Sequence, residues 1–164
     1  MPIWHLICGS TGAGKTTYAK ALAHRVRGVR FSIDEWMVSL FLADSPAQLS
    51  SAWAVERASR CEAQMGSIAD QLVARGVDVV FDVGLSKREH RDRFRMRAAQ
   101  AGANSKLHYL DVEAETRRER VRQRNVLGSG TFAFAVTDEM FDFLENAFEA
   151  PGDDELQEAM IVCF

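Results

Sequence analysis

Short apolar runs alternate with longer helical segments along most of the chain. The runs that predict strands are Ile3–Cys8, Val29–Ser32, Val77–Asp82, Leu107–Leu110 and Ala159–Cys163. The segments that predict helices are Thr16–Arg25, Gln48–Arg75, Lys87–Ala101, Ala114–Arg124 and Asp138–Phe148. This alternation is typical of an α/β fold built on a parallel sheet.

Two stretches leave alternatives open, and a third predicts a loop. Residues 48–75 contain only Gly66 as an interior breaker, so they form either one long helix or two abutting helices. Trp36–Leu42 predicts a short helix or a packed loop, and Leu127–Gly130 predicts a mobile loop. Because no repeat or linker divides the chain, we expect a single domain spanning residues 1–164.

Composition narrows the class of protein. The net charge of −3 argues against a general polyanion binder, which would need a basic surface. Cys8, Cys61 and Cys163 form no metal-ligand pair, and an odd number of cysteines without a secretory signal fits a reducing cytosol, with each thiol buried as a small apolar group. No run of about 18 apolar residues is present, so we expect a cytoplasmic protein without a membrane span.

The strongest motif follows the first predicted strand. The sequence from Gly9 to Thr16 fits the phosphate-binding pattern G-x-x-x-x-G-K-S/T, between a predicted strand and a predicted helix. Glycine allows the main chain to approach phosphates closely, and the amides of the loop and the helix N-terminus then face the anion. We expect Lys15 to reach the β- and γ-phosphates of ATP and the Thr16 hydroxyl to ligate Mg²⁺. The residues expected to contact the nucleotide are Gly9, Ser10, Thr11, Gly12, Ala13, Gly14, Lys15, Thr16 and Thr17.

A carboxylate ends the third predicted strand. Asp82 stands where a second ligand of the Mg²⁺ shell is expected, although it could instead cap a loop at the strand end. Hydrolytic ATPases place Glu directly after this Asp, whereas Val83 follows here, and no Asn-Lys-x-Asp guanine reader is present. Both absences favour phosphoryl transfer to a bound acceptor over hydrolysis.

A second carboxylate follows the second predicted strand. Asp34 could accept the proton of an attacking hydroxyl or orient that hydroxyl toward the γ-phosphate. Asp is also a favoured N-cap, so the same residue could begin a helix near Glu35. The two roles are compatible.

Basic side chains concentrate between Lys87 and Arg124. Arg120 and Arg124 are four residues apart on one helix face and could neutralise charge on the transferring phosphoryl group. For most of these arginines the alternative is a solvated face paired with neighbouring glutamates. Arg91 could bind the substrate or serve the basic helix on which it lies.

Taken together, these residues resemble the AAA_33-type small kinases, a P-loop group that includes zeta toxins, chloramphenicol phosphotransferase, gluconate kinases and polynucleotide 5′-kinases. The resemblance runs over nearly the whole chain, through the phosphate loop, Ser32-x-Asp34, the strand ending in Asp82, Arg91, the arginines 118–124 and the segment 148–151. Only the phosphate loop is specific by itself; the other residues gain weight from their order and spacing.

The resemblance implies a five-stranded parallel sheet of order 2-3-1-4-5 sandwiched by helices, with a short lid over about residues 120–137. It implies that Asp34 activates the acceptor hydroxyl and that Arg120 and Arg124 contact ATP phosphates. Many members carry an Arg three residues after this Asp, whereas Met37 occupies the position here. That departure points to a less charged acceptor, and the apolar residues around Met37 form either its pocket or part of the core.

The sequence therefore predicts an ATP- and Mg²⁺-dependent kinase that phosphorylates a hydroxyl of a small molecule. A nucleic-acid or nucleotide 5′-kinase is the second hypothesis, with the basic helix 87–97 as its footprint and the negative net charge against it. A nucleotide-dependent switch with little turnover is the third. We also expect residues 125–137 to order when nucleotide binds.

Overall fold

The computed structural model describes residues 1–46, 50–127 and 135–163. Within them, the strands are β1 (Ile3–Cys8), β2 (Val29–Ser32), β3 (Val79–Asp82), β4 (Asn104–Asp111) and β5 (Met160–Cys163). The helices are α1 (Lys15–Val26), α2 (Ile33–Met37), which continues into a π-helical turn (Val38–Leu42), α3 (Ser51–Val73), α4 (Arg88–Gln100), α5 (Ala114–Leu127), α6 (Asp138–Ala147) and α7 (Asp153–Leu156).

All five strands pair in parallel, in the order β2-β3-β1-β4-β5, which confirms the expected topology. The central strand β1 pairs with β3 and β4, so that Leu6 lies opposite Phe81 on one side and Leu107 on the other. A strand with neighbours on both sides and helices on both faces is largely buried, which explains why β1 is apolar except for His5.

The core lies on both faces of this sheet because successive strand residues point to opposite sides. On one face Trp4 and Phe81 pack with Phe94 of α4 and Met65 of α3. On the other face, Ile7 of β1, Val80 of β3 and Leu110 of β4 pack with Leu22 of α1. Among the described residues, no helix has the length and apolar character needed to span a bilayer.

The topology brings three loops to one edge of the sheet. Since parallel strands all run the same way, the residues that follow β1, β2 and β3 meet at the carboxyl edge, and these three strands are neighbours. The phosphate loop follows β1, Asp34 lies just after β2, and Asp82 is the last residue of β3. Crevices at this edge, where the strand order reverses, are the usual ligand sites of open α/β sheets.

Most predicted elements are confirmed, and the differences have physical causes. α3 is one helix from Ser51 to Val73, so the alternative of two abutting helices is wrong. β4 begins at Asn104, earlier than the apolar run, because its polar first residues pair with β1. The sequence pattern did not predict the short helix α7, whose four residues are too few to show a helical period. Cys163 is exposed rather than buried, unlike Cys8 and Cys61.

A buried chain of polar side chains links β1, β4 and α1. His5 Nδ1 lies 2.9 Å from His108 Nε2, and His108 Nδ1 lies 2.8 Å from the Tyr18 hydroxyl. His5 Nε2 lies 3.4 Å from a carboxylate oxygen of Asp78, which can only accept. The consistent assignment has Tyr18 donating to neutral His108, His108 donating to neutral His5, and His5 donating to Asp78.

Both imidazoles are held neutral in the fold. Burial lowers the pKa of His108 to about 4, and electrostatic interactions with His5, Lys106 and Arg25 lower it further. Burial also lowers the pKa of His5, although the bond to Asp78 opposes that effect. In mildly acidic solution these two histidines therefore bind protons in the unfolded chain but stay neutral in the folded chain.

We predict that the free energy of unfolding falls as the pH drops from about 6.5 to 4, because His108 is protonated in that window only in the unfolded chain. The loss attributable to His108 is at most about 3 kcal/mol. His108→Gln should flatten this pH dependence in chemical denaturation, while His24→Gln on the exposed side of α1 should keep it. An unchanged slope in His108→Gln would contradict the prediction.

Candidate active site

The phosphate loop between β1 and α1 adopts a conformation that glycine makes accessible. Gly12 and Gly14 have φ angles of 81° and 89°, in the left-handed region that side chains disfavour. The Ala13 amide donates to the Ser10 carbonyl at 3.2 Å. The Lys15 ammonium donates across the loop to the carbonyls of Gly9 and Ser10 at 2.9 and 3.1 Å. The Lys15 side chain therefore bridges from the start of α1 to the beginning of the loop.

The N-terminus of α1 is open toward this loop. Its N-cap residue is Gly14, which has no side chain to accept from the first amides of the helix. No acidic residue occupies the first turn, where Thr16 is half-buried and Thr17 is exposed. A Cβ atom added at Gly14 would meet nothing within 4 Å among the described residues. Free amides, open space and the helix dipole together suit an anion.

Two carboxylates balance the lysine electrostatically. Burial lowers the pKa of Lys15, and the negative charges of Asp82 and Asp34 counter that effect. Burial raises the pKa of Asp34; the negative charge of Asp82 adds to the increase, while the positive charges of Lys15 and Arg124 oppose it. The structure thus brings together four of the predicted site residues: Lys15, Asp34, Asp82 and Arg124.

Asp34 is free of the capping role that the sequence left open. Helix α2 begins at Ile33, and the Glu35 amide donates to the Ser32 hydroxyl at 3.4 Å, which makes Ser32 the N-cap. The expectation that Asp34 itself caps a helix beginning near Glu35 is therefore wrong. Asp34 lies instead in the first turn, where the helix dipole favours a negative charge.

Asp82 is buried at the end of β3, with 5% of its surface exposed. One carboxylate oxygen, Oδ2, accepts from Arg30 at 3.1 Å, and the same guanidinium pairs with Glu35. The recorded partner of Asp82 is thus a side chain of the adjacent strand rather than a loop amide. Thr16 and Asp82 offer the hard oxygen donors that Mg²⁺ takes, and Mg²⁺ usually needs only one or two protein ligands beside phosphates and water. The residues present fit that ion.

Four of the five arginines of α5 fall into two groups. Arg118 and Arg122 pair at the protein surface with Asp138 and Asp142 of α6, and not with the neighbouring glutamates that the solvated-face alternative named. Arg120 and Arg124 are half-buried. Burial lowers the pKa of Arg124, and the negative charge of Asp34 counters it. Residues 128–134, the centre of the expected lid, lie outside the described residues.

Arg91 has a structural environment rather than the expected substrate contact. Its side chain is fully buried and donates to Glu155 through Nε at 2.8 Å and Nη2 at 2.7 Å. Nη1 donates to the carbonyls of Leu85 and Glu149. Hydrogen bonds from Arg91 lower the pKa of Glu155 to about 2. Because all three guanidinium nitrogens are used, two in joining α4 to α7 and one in bonding the carbonyls of Leu85 and Glu149, we assign Arg91 a role in the fold.

Two residues at the site had no recognised sequence signal. Arg117 lies beneath the phosphate loop, where Nη1 donates to the Thr11 carbonyl at 3.2 Å. Glu145 of α6 accepts from the Ser10 hydroxyl at 2.7 Å. The position of Arg117 one turn before Arg120 was the only hint available. Glu145 is separated from Ser10 by 135 residues, so no local pattern could connect them.

Most of the apolar residues after Asp34 pack in the core, which is one of the two alternatives that the sequence left open. Trp36, Met37 and Phe41 pack against the core, as a buried helix stripe would. Leu40 is 56% exposed on the π-helical turn. The segment that follows Asp34 is therefore held by core contacts and still exposes the apolar side chain of Leu40 to solvent.

The sequence matches one known family over most of its length. The model of the AAA_33 family, described as an AAA domain, matches residues 5–151. No curated protein sequence matches the chain. The matched range contains the phosphate loop, both carboxylates and the arginines of α5.

Solved structures share the fold at low sequence identity. A sugar kinase from Janibacter sp. is 18% identical with a TM-score of 0.66, over 99% of this chain and 86% of that chain. A gluconokinase from Sinorhizobium meliloti is 16% identical with a TM-score of 0.66, over 99% and 82%. Kti12 from Chaetomium thermophilum, in complex with ADP-AlF3, is 15% identical with a TM-score of 0.72, over 98% and 89%. These similarities show a P-loop kinase-like fold.

We predict that Gly12→Ala is far more destabilising than Gly76→Ala. Both glycines have positive φ angles, of 81° and 77°, so both variants incur the strain of a left-handed alanine, about 1 kcal/mol. At Gly12 the new Cβ would also lie 2.5 Å from the Arg117 carbonyl oxygen, whereas at Gly76 it meets nothing within 4 Å. Chemical denaturation should give a loss of at least about 3 kcal/mol for Gly12→Ala. Equal losses would contradict the packing described here.

Proposed function

This chain belongs to the AAA_33 family, and on that premise we propose that it is an ATP-dependent kinase with a small-molecule hydroxyl acceptor. One observation carries the proposal. A phosphate loop in anion-binding conformation lies beside a desolvated carboxyl group, Asp34, that is electrostatically coupled to Lys15 and Arg124. Such a pairing of a phosphate cradle with a candidate base suits group transfer to a hydroxyl.

The phosphate loop is the proposed site of the ATP triphosphate. Main-chain amides from Gly9 to Thr17 would donate to its oxygens, and Lys15 would exchange its carbonyl partners for the β- and γ-phosphates. A lysine already held over the loop needs little reorganisation to do so. Thr16 and Asp82 would hold Mg²⁺, which neutralises phosphate charge when bound.

The proposed transfer step uses the carboxylate that faces the loop. The acceptor oxygen attacks the γ-phosphorus, the bond from that phosphorus to the β–γ bridging oxygen breaks, and ADP leaves. The hydroxyl proton passes to the Asp34 carboxylate. Arg120 and Arg124 would stabilise the charge spread over the transferring group.

The surroundings of Asp34 support a small and weakly charged acceptor. Met37 occupies the position at which many family members carry an arginine, and it packs on the core rather than offering a charge. Leu40 on the adjoining turn leaves an apolar surface exposed. The sugar kinase and the gluconokinase with the same fold, by their names, act on hydroxyl-rich small molecules. A sugar, sugar acid or partly apolar alcohol is the acceptor class that we favour.

A nucleic-acid end kinase is the weaker alternative. Its expected footprint was the basic helix α4, but the arginines there already have carboxylate partners. The pairs are Arg88–Asp154, Arg91–Glu155, Arg93–Glu62, Arg95–Asp92 and Arg97–Asp70. A helix neutralised in this way attracts phosphates weakly. A nucleotide-dependent switch would share the loop but would not need Asp34.

The acceptor class can be tested by incubating the protein with labelled ATP, Mg²⁺ and separate pools of sugars, sugar acids, aromatic alcohols, nucleosides and oligonucleotide 5′-ends. We expect label transfer to a small-molecule pool, and no transfer by Asp34→Asn in the same pool. Transfer only to oligonucleotides would favour the end-kinase alternative. Release of labelled phosphate alone, equal in both proteins, would contradict kinase activity.

We predict that Lys15→Ala and Asp34→Ala fail in different ways. Lys15→Ala should weaken ATP binding and abolish transfer because it removes a charge held over the triphosphate. Asp34→Ala should bind ATP within about threefold of wild type and reduce transfer by at least about a hundredfold. Calorimetry with Mg²⁺ and ATP measures the first quantity, and transfer assays measure the second. Equal losses of nucleotide affinity in both variants would contradict this division.

A further inference from the structure

The two helices that flank residues 128–134 both contact the phosphate loop. On the α5 side, Arg117 is 5% exposed and anchored by a bond from Nε to the Val112 carbonyl at 2.8 Å. Its Nη1 donates to the Thr11 carbonyl of the loop. The main chain of Arg117 also abuts Gly12 closely enough to exclude a Cβ atom there. One turn of α5 therefore supports two consecutive residues of the loop.

On the α6 side, Glu145 completes the contact. Its two carboxylate oxygens accept from Nη1 and Nη2 of Arg117 at 2.7 and 2.6 Å, in a two-pronged ion pair. One of those oxygens also accepts from the Ser10 hydroxyl at 2.7 Å. The bonds from Arg117 and then Ser10 hold the pKa of Glu145 below its ordinary value, so the group is ionised near neutral pH. Three segments far apart in sequence thus meet at one carboxylate.

We propose that Arg117 and Glu145 are positioning residues that hold the phosphate loop in its anion-binding conformation and fix α5 and α6 against it. This inference rests on the proposed function in one respect, namely that a nucleotide occupies the loop. Arg120 and Arg124 lie one and two turns beyond Arg117 on α5. A fixed Arg117 therefore sets the distance of both arginines from the loop.

The charge arrangement explains why a carboxylate can serve at a phosphate site. An isolated Glu145 would repel a triphosphate bound nearby. Paired in two-pronged fashion with Arg117, it forms a neutral ion pair, and it holds the Ser10 hydroxyl through a hydrogen bond. A two-pronged ion pair also fixes the orientation of its two side chains relative to each other, which a single surface contact does not.

The same two helices provide a matched control. Arg118 and Asp142 also form an ion pair between α5 and α6, and the contacts recorded for them remain on those helices and not on the phosphate loop. Asp142→Asn therefore weakens the α5–α6 contact without touching the loop. Glu145→Gln makes the same chemical change at the residue that contacts Arg117 and Ser10.

The test compares wild type, Glu145→Gln and Asp142→Asn. Amide hydrogen exchange of residues 9–17 is measured without nucleotide, and affinity for a non-hydrolysable ATP analogue with Mg²⁺ is measured by calorimetry. We expect Glu145→Gln to speed exchange in the loop and to weaken analogue binding about tenfold. Asp142→Asn should match wild type in both measurements. Equal values for the two variants would overturn the proposal.

Ser10→Ala provides a second test, because it leaves the Arg117–Glu145 pair in place and removes one bond to the carboxylate. Loop exchange should rise in Ser10→Ala, and its effect should be less than additive with Glu145→Gln. Unchanged exchange in Ser10→Ala would overturn the proposal even if Glu145→Gln does not fold. Because exchange is measured without nucleotide, it tests the positioning role of Arg117 and Glu145 by itself. The proposed phosphoryl transfer can be wrong without affecting that result.

Discussion

Main-chain amides without acceptors of their own, at the start of α1, are the constraint around which the rest of the site is arranged. Gly14 caps the helix without a side chain, and Gly12 and Gly14 both have positive φ angles, as in the loops from which anion-binding nests are built. Such amides are stable where water or an anion can reach them. The buried strand β1 supplies a fixed base for the loop, and Lys15 supplies the positive charge beside it.

Charges around this loop alternate in sign, and this alternation makes their burial tolerable. Lys15 lies near Asp82 and Asp34, Asp82 is bonded to Arg30, and Arg124 lies within electrostatic reach of Asp34. A buried charge without a partner would be costly, whereas paired charges are tolerated and stay ready to exchange partners with a ligand. The desolvated Asp34 has the raised pKa that suits a general base.

The roles of the arginines in this protein follow from what each side chain contacts, and not from the basic segment in which it lies. Arg91 joins α4 to α7 from a fully buried position, and Arg117 supports the phosphate loop from below. Arg118 and Arg122 pair with α6 at the surface. Arg120 and Arg124 remain candidates for phosphate contact, as the sequence proposed, so that α5 carries three of these four groups of arginines.

The sequence by itself determined the fold class and the phosphate loop, because strand periodicity, glycine positions and the motif spacing are local signals. The sheet order was implied only by the family resemblance. Only the tertiary structure decided which polar residues meet. It made Ser32 rather than Asp34 the helix cap, buried Arg91 against Glu155, linked His5 to His108 and joined Ser10 to Glu145. These contacts join residues on different elements or depend on where a helix begins, and long-range contacts of this kind depend on packing that no short sequence window contains.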